Sequence, residues 1–208
     1  MTYNVKEIFY TIQGEGINAG RPAVFCRFVG CNLWSGKDND KATADCSFCD
    51  TDFIGGFKVK TSLDLVEMIS KVLFDGTNGQ QHMGLVVITG GEPALQINQE
   101  LIDLLHVKGF EVALETNGTI NIPDGIDWVC VSPKGLTQIV VTHGNELKYV
   151  YPQERAPESY EVYKFDHFLL QPKAVNYVND YEERAIKYCK TNPKWRFSAQ
   201  LHKVWGIA

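Results

Sequence analysis

The chain has 208 residues, of which 44% are hydrophobic and 22% are charged, and its net charge is −5. This composition is ordinary for a globular protein and excludes a disordered or low-complexity chain. The acidic balance argues against a nucleic-acid backbone as the main partner. No apolar run approaches the roughly 20 residues that a membrane helix needs, and the start of the chain contains no apolar signal core. We therefore expect a cytoplasmic protein with no membrane and no nucleic-acid partner.

The six cysteines fall into two groups that differ in their surroundings. Without a secretion signal, this number of cysteines favours metal or redox chemistry over a disulfide framework. One group lies in a polar, turn-rich stretch and comprises Cys31, Cys46 and Cys49. The other lies inside apolar patterns, which is typical of buried small hydrophobic residues, and comprises Cys26, Cys130 and Cys189.

Short segments rich in apolar and aromatic residues predict six strands, of the kind found in a sheet that is covered on both faces. In chain order these strands are Ala23–Val29, Leu85–Thr89, Glu111–Glu115, Trp128–Val131, Leu147–Tyr151 and His167–Gln171. Apolar periodicity and end signals predict three main helices. These run from Thr61 or Ser62 to about Phe74, from about Ile97 to His106, and from near Asn179 to before Pro193, the last inside a packing segment Asn176–Lys194.

The strand–helix–strand order over Leu85–Glu115 predicts parallel strands joined by right-handed crossovers. A complete eight-unit barrel usually needs about 250 residues, which is more than this chain has. The sequence therefore predicts an α/β fold, an incomplete TIM-type barrel with about six parallel strands and three main helices. No linker-like shift in composition occurs, so residues 1–208 are expected to form a single domain, with Asn32–Ala44 as a long polar loop.

Polar residues and glycines follow the carboxyl ends of the predicted strands, where parallel sheets collect their chemistry. These positions are Gly30-Cys31, Thr89-Gly90-Gly91-Glu92-Pro93, Glu115-Thr116-Asn117-Gly118, Ser132-Pro133-Lys134 and Gln171-Pro172-Lys173, with His202 near the terminus. Their common location predicts one shared pocket. Gly90 and Gly91 either allow a ligand to approach the backbone closely or form a tight turn, and Glu92 is suited to a ligand ammonium group.

The segment Cys46-Ser-Phe-Cys49 brings two thiols close enough to share a metal centre, and fourteen residues separate it from Cys31. Three thiolates with no fourth cysteine nearby fit a four-iron cluster with one open iron, because closed iron–sulfur sites use four cysteines. The alternative is a zinc ion held by the three cysteines and a histidine. The spacing leaves both open. A thioredoxin-like redox site is disfavoured, since Cys46 does not open a helix after a buried strand.

The cysteines that end in CxFC, followed by a strand and Gly90-Gly91-Glu92-Pro93, resemble the radical S-adenosylmethionine enzymes. Most of these enzymes have three residues between the first two cysteines, and the gap of fourteen resembles one subgroup, the 7-carboxy-7-deazaguanine synthases. Further segments similar to that family are Tyr10–Gly16 (YTIQGEG), Phe25–Trp34 (FCRFVGCNLW) and Cys49–Thr51 (CDT). The similarity runs from Phe9 to about Lys173, with a weaker match at the C-terminus.

The resemblance implies a [4Fe–4S] cluster held by Cys31, Cys46 and Cys49 in an extended cluster-binding loop, residues 31–50. The open iron would bind S-adenosylmethionine, and reductive cleavage would give methionine and a 5′-deoxyadenosyl radical. The residues that would contact S-adenosylmethionine are Phe48, Gly90, Gly91, Glu92, Ser132, Pro133, Lys134, Gln171 and Lys173. The enzyme would be a lyase that contracts 6-carboxy-5,6,7,8-tetrahydropterin to 7-carboxy-7-deazaguanine with loss of ammonia, on the way to queuosine-type bases.

By the same resemblance, the substrate would contact Ile12, Gln13, Gly14, Glu15, Arg27, Thr89, Glu115, His202 and Ala208. The planar donors of Arg27 suit the substrate carboxylate. Glu115 can accept two hydrogen bonds from the amino-amide edge of a pterin, and Gln13 can both donate and accept there. Thr51 is expected to bind the Mg²⁺ that the family needs, since this hard cation prefers oxygen ligands.

The resemblance also implies two protein partners, namely a reducing donor such as flavodoxin or ferredoxin and a second copy of the chain in a homodimer. Two other functions stay open at this point. One is a radical enzyme that installs a glycyl radical on a partner protein, although that class usually has the shorter cysteine spacing. The other is a non-enzymatic zinc-binding module, which would be colourless.

Overall fold

The computed structural model describes residues 2–80, 83–174 and 180–207. Its strands are β1 (Tyr3–Ile12), β2 (Pro22–Phe28), β3 (Phe57–Val59), β4 (Leu85–Gly90), β5 (Glu111–Thr116), β6 (Trp128–Val131), β7 (His143–Tyr151), β8 (Lys164–Pro172) and β9 (Trp195–Phe197). Its α-helices are α1 (Ser62–Gly76), α2 (Gln99–Val107), α3 (Tyr181–Thr191) and α4 (Leu201–Trp205). No helix in these ranges is both long enough and apolar enough to cross a membrane.

The strands form one nine-stranded sheet in the order β3-β1-β2-β4-β5-β6-β7-β8-β9. Neighbouring strands from β2 to β9 are parallel, whereas β1 runs antiparallel to both β2 and β3. Strands β3 and β9 lie at the two edges, so the sheet is open. The predicted α/β fold with a mostly parallel, incomplete barrel is confirmed, and the six predicted strands correspond to β2 and β4–β8.

The sequence patterns do not predict β1, β3 or β9. The middle of β1 is half-exposed and mixes polar with aromatic side chains, so it lacks a continuous apolar run. Strands β3 and β9 have three residues each, which is too few for a periodic pattern. Strand β1 ends with Ile12 opposite Pro22, at the amino-terminal end of β2. The chain after Ile12 therefore reaches the interior from the end opposite the strand carboxyl ends.

Side-chain caps fix the starts of α1 and α2. Thr61 Oγ1 accepts a hydrogen bond from Asp64 N–H, which decides between Thr61 and Ser62 as the cap, and Asn98 Oδ1 accepts one from Leu101 N–H. Of the predicted packing segment 176–194, residues 176–179 lie outside the described ranges, including the predicted start at Asn179. The helix α3 begins at Tyr181.

Two apolar cores cover the outer face of the sheet, and the other face carries polar residues together with a small apolar cluster of Ala23, Leu85, Val87 and Ala113. The first core joins α1 and α2 to strands β1–β5 and includes Leu65, Ile69, Leu101, Leu105, Val86 and Val112. The second joins α3 to strands β6–β9 and includes Leu147, Tyr149, Leu170, Ala185 and Trp195. All six cysteines are free; Cys26 and Cys130 are buried as predicted, and Cys189 is half-buried.

Candidate active site

The parallel register brings polar residues of successive strands into adjacent positions. Arg27 of β2 pairs with Thr89 of β4, and Glu115 of β5 pairs with Cys130 of β6. Arg27, Thr89 and Glu115 line a cavity of about 540 Å³. This size suits a small-molecule ligand.

Most of the residues that the sequence predicts for the site line this one cavity. From the predicted substrate set these are Ile12, Gln13, Gly14, Glu15, Arg27, Thr89, Glu115 and His202. From the predicted S-adenosylmethionine set they are Phe48, Gly90, Gly91, Ser132, Lys134, Gln171 and Lys173, and from the metal set Cys31, Cys46, Cys49 and Thr51. Glu92 and Pro133 do not line this cavity. Ala208 lies outside the residues that the structure describes.

Cys31, Cys46 and Cys49 contribute three thiols to the cavity wall. The Cys46 carbonyl accepts a hydrogen bond from Cys49 N–H at 3.3 Å, which closes the CxxC turn. A hydrogen bond from the Cys46 thiol lowers the pKa of Cys49 to about 6 despite its burial. Soft sulfur donors of this kind suit iron or zinc.

Within residues 2–80, 83–174 and 180–207, no three cysteine, histidine or carboxylate side chains converge as the ligands of one metal ion would. A four-iron cluster binds each thiolate at a different iron, so it does not require such convergence. Three thiols on the wall of one cavity therefore fit a cluster of this kind.

The Gly90-Gly91 turn packs backbone against backbone. A Cβ atom on Gly90, whose φ is +135°, would collide with the backbone of Phe28, and one on Gly91 would collide with the Gly30 carbonyl. The Gly91 N–H donates to the Phe28 carbonyl at 3.1 Å, which holds the ends of β2 and β4 together. The tight-turn explanation therefore applies, and the same turn exposes glycine backbone at the cavity wall beside Cys31.

Glu92 is fully buried and organises the neighbouring strand ends. Its Oε1 accepts hydrogen bonds from Thr116 Oγ1 at 2.7 Å and Ala94 N–H at 2.9 Å, and its Oε2 accepts one from Asn117 N–H at 2.7 Å. Burial raises the pKa of Glu92, although these donors oppose the shift. A contact between Glu92 and a ligand ammonium group would compete with these three donors.

Two lysines lie over the ring of Phe48 in the 31–50 loop. Lys173 Nζ is 4.3 Å and Lys134 Nζ 5.7 Å from the ring centroid. Lys134 Nζ also donates to Ser132 Oγ at 2.6 Å. The carbonyl of the adjacent Pro133 accepts a hydrogen bond from Gln153 Nε2 at 3.3 Å. An aromatic face beside two ammonium groups suits a ligand that combines a flat ring with a carboxylate.

Lys148 of β7 is a buried charge on the cavity wall that the sequence analysis does not identify. Its Nζ donates to Glu15 Oε2 at 2.7 Å and to Glu115 Oε2 at 2.8 Å. Burial raises the pKa of Glu15, but the Lys148 ammonium and neighbouring amides outweigh it and lower the pKa to about 2. The sequence feature that could have identified Lys148 is its position between apolar residues of a predicted buried strand.

Gln13 and Arg27 complete the polar wall around Glu115. Gln13 Nε2 lies 3.5 Å from Glu115 Oε1, while Gln13 Oε1 accepts a hydrogen bond from Glu15 N–H at 3.1 Å. Arg27 Nε donates to Glu7 Oε1 at 2.8 Å, and its guanidinium lies 5.9 Å from the centroid of the Phe9 ring. The site thus combines a guanidinium with acceptors that suit a polar heterocycle.

The C-terminal helix α4 connects the two sides of the cavity. Its first residue, Leu201, donates its N–H to the Gly14 carbonyl at 2.8 Å. Gln200 Nε2 donates to Glu15 Oε1 at 2.8 Å, and Lys203 Nζ donates to Asp50 Oδ2 at 2.7 Å, next to Cys49. The sequence indicates His202 in this region but gives no signal for Gln200 or Lys203, whose partners are distant in the chain.

No family model matches the chain. The 7-carboxy-7-deazaguanine synthases of Bradyrhizobium diazoefficiens and Burkholderia multivorans are each 51% identical to it, over the full length of both chains. The protein of the same name from Bacteroides thetaiotaomicron is 39% identical, again over the full length of both.

A solved structure is similar as well. The crystal structure of QueE from Escherichia coli has a TM-score of 0.73 and 28% sequence identity, and the match covers 97% of this chain and 95% of that one. The similarity therefore extends over nearly the whole of both chains. The chain therefore belongs to the 7-carboxy-7-deazaguanine synthase family, radical S-adenosylmethionine enzymes of 7-deazapurine biosynthesis.

Proposed function

We propose that this enzyme is a carbon–nitrogen lyase that converts 6-carboxy-5,6,7,8-tetrahydropterin to 7-carboxy-7-deazaguanine and releases ammonia. One observation carries the proposal. The thiols of Cys31, Cys46 and Cys49 and the polar groups of Arg27 and Glu115 line the same cavity. Redox and substrate-binding groups are thereby close enough to act on one ligand.

Cys31, Cys46 and Cys49 would hold a [4Fe–4S] cluster within the 31–50 loop, in a single domain that spans residues 1–208. When bound, the cluster and S-adenosylmethionine would supply the radical chemistry that starts the reaction. The aromatic face of Phe48 and the ammonium groups of Lys134 and Lys173 suit the adenine and carboxylate of S-adenosylmethionine. The remaining contacts on this side would come from Gly90, Gly91, Ser132, Pro133 and Gln171, with Glu92 fixing the strand ends behind them.

On the substrate side, Arg27 would bind the pterin carboxylate through its guanidinium N–H groups. Glu115 would accept hydrogen bonds from the amino-amide edge, and Gln13 would donate to and accept from the same ring. Thr89, His202 and the Ile12–Glu15 segment would enclose the ring and exclude water. Ala208, which the resemblance also assigns to this pocket, stays a sequence-based proposal.

Three further features rest on the resemblance. Thr51 would be a protein ligand of Mg²⁺, with substrate oxygens and waters completing its coordination. A reduced flavodoxin or ferredoxin would supply electrons, and the enzyme would work as a homodimer. Six free thiols and an oxygen-sensitive cluster suit a reducing compartment such as the cytoplasm.

The test is anaerobic reconstitution of the full chain with iron and sulfide, followed by incubation with S-adenosylmethionine, Mg²⁺, dithionite and the carboxypterin. We expect a brown protein that bleaches with dithionite and forms 7-carboxy-7-deazaguanine and ammonia. A colourless protein that binds zinc would support the zinc-module alternative. A brown protein that cleaves S-adenosylmethionine but leaves the carboxypterin unchanged would contradict the proposed substrate and favour the glycyl-radical alternative.

A further inference from the structure

Lys148 occupies a position that the proposed function does not use. Its side chain is 6% exposed, and its ammonium group joins Glu15 and Glu115, which lie on different segments of the cavity wall. Oε2 of each carboxylate contacts Lys148. Oε1 of Glu15 accepts a hydrogen bond from Gln200, and Oε1 of Glu115 lies 3.5 Å from Gln13 Nε2, at the limit of a hydrogen bond.

Because both carboxylates contact the same ammonium group, they lie close together, and their like charges would repel each other without a cation between them. Lys148 supplies that cation, and it leaves the pair with one net negative charge. The other titratable or charged groups near the three are Glu146 of β7, Cys130 of β6, His202 and Lys203 of α4, and Asp50 of the 31–50 loop. Lys203 pairs with Asp50, while burial favours the uncharged forms of Glu146, Cys130 and His202.

We propose that Lys148 is a positioning and specificity-determining residue, which holds Glu15 and Glu115 side by side as anionic acceptors for a ligand edge with adjacent N–H donors. This inference rests on the proposed function and deepens it. The chemical class that fits is a 2-amino-4-oxopyrimidine ring, where a ring N–H lies next to an exocyclic amino group. An analogue with oxygen in place of that amino group would present an acceptor to an acceptor, and the site would reject it.

The low pKa of Glu15, about 2, agrees with this role. Removing the ammonium group would remove the main factor that opposes the effect of burial on the pKa of Glu15, so that pKa would rise and the carboxyl group would take up a proton at a higher pH than in the wild-type protein. A protonated carboxyl group can no longer accept from both adjacent donors. Substrate affinity would thus become dependent on pH in a range where the wild-type protein shows no such dependence on Glu15.

The experiment uses cluster-loaded wild-type protein, Lys148→Met, and the charge-compensated double variant Lys148→Met/Glu15→Gln. KM and kcat for the carboxypterin are measured from pH 5.5 to 8.5, together with kcat/KM for the 2-oxo analogue. The control is Lys71→Met, because Lys71 forms an exposed ion pair on α1 with the same 2.7 Å separation. Iron content and absorbance report cluster loading in every variant.

We expect wild type to prefer the 2-amino substrate by about 100-fold or more, as a site built to bind a donor does. Lys148→Met should raise KM about 10-fold or more at pH 7, lose most of that preference, and gain an acidic limb in kcat/KM. Glu15→Gln in the same background should remove the acidic limb. Lys71→Met should match wild type in KM, pH profile and preference.

A Lys148→Met protein whose KM, pH profile and selectivity equal those of wild type would overturn the inference while leaving the proposed function intact. A uniform loss of kcat with an unmoved pH profile would overturn it too, since that pattern indicates a merely structural lysine. If Lys148→Met does not load its cluster, the wild-type measurements alone test the inference. Equal kcat/KM values of the wild-type protein for the carboxypterin and its 2-oxo analogue would contradict the specificity proposed for Lys148. Absence of any carboxypterin turnover by wild type would instead reject the proposed function.

Discussion

At the scale of single residues, burial determines what each charged group of the site can do. Glu92 has no exposed surface and accepts three hydrogen bonds, from Thr116 and Asn117 at the end of β5 and from Ala94 in the turn after β4, so it stabilises the frame of the cavity. Glu15 and Glu115 share a buried lysine and keep contact with the cavity. Carboxylates that look alike in the sequence therefore have different roles, because their partners differ.

Replacement of Cys31, Cys46 or Cys49 by alanine is expected to abolish iron and sulfide binding, because each thiolate would hold a different iron. Iron and sulfide contents after anaerobic reconstitution measure this. Cys189→Ala is the matched control, since Cys189 is half-buried on α3 and contributes to the second core. Full iron content in Cys46→Ala, or its loss in a folded Cys189→Ala, would contradict the assignment of the ligands.

Thr51→Val removes a hydroxyl group and keeps the shape of the side chain. We expect the variant to retain its cluster and bind S-adenosylmethionine, while the Mg²⁺ concentration for half-maximal turnover rises about 10-fold or more. Thr51→Ser keeps the hydroxyl group and should titrate like wild type. An unchanged Mg²⁺ titration in Thr51→Val would remove Thr51 from the proposed metal site.

At the scale of secondary-structure elements, the short helix α4 joins two separate segments of the cavity wall, the chain after β1 and the 31–50 loop. It bonds to Gly14 through its first N–H and to Asp50 through Lys203. Strand β1 brings Gly14 to the cavity from the amino-terminal end of β2, and the 31–50 loop brings Asp50. The site is therefore complete only when α4 is in place.

Lys203→Met should loosen α4 from the 31–50 loop and raise the KM for the carboxypterin several-fold. The melting temperature should change little, because Lys203 is 44% exposed and an exposed ion pair contributes about 0–1 kcal/mol. Steady-state kinetics and thermal unfolding measure the two effects. Lys71→Met removes a comparable exposed pair on α1 and should alter neither the KM nor the melting temperature. Equal KM values for Lys203→Met and Lys71→Met would contradict the proposed contribution of α4 to the site.

At the scale of the whole molecule, the two cores support different parts of the site. The second core contains Trp195 on the edge strand β9, whose ring lies 5.4 Å from that of Phe168 and 6.1 Å from that of Tyr149. Three residues later, Ser198 N–H donates to the Leu170 carbonyl at 2.9 Å, and the chain then enters α4. The first core holds α1 and α2 on the other half of the sheet.

Trp195→Ala and Leu101→Ala should both destabilise the fold, by about 3–5 and 2–5 kcal/mol respectively, because each creates a cavity in a core. The Trp195 change alone should also raise KM, since it lies beside the segment that leads into α4. Denaturant unfolding and kinetics separate the effects, and Trp195→Phe provides a milder change if the alanine variant does not fold. If both substitutions raised KM equally, the second core would not have a separate role in supporting the site.

The sequence by itself determines the features that repeat locally. Continuous apolar runs identify β2 and β4–β8, helical periodicity with Thr61 as a possible cap identifies α1, and polar residues at strand ends indicate the cavity. The spacing of Cys31, Cys46 and Cys49 and the segments around them indicate the family. These inferences succeed because strand and helix periodicities and motifs are properties of neighbouring residues.

The tertiary structure alone decides which distant groups meet. Lys148 contacts Glu15 across 133 positions, and Lys203 contacts Asp50 across 153. The burial of Glu92 behind the wall and the addition of β1, β3 and β9 to the sheet are also invisible in the local pattern. Sheet register and packing set these contacts. The residues next to a buried lysine in the sequence look the same whether its partner is a carboxylate, a ligand or a backbone carbonyl. The charge balance of the cavity is therefore a property of the folded chain.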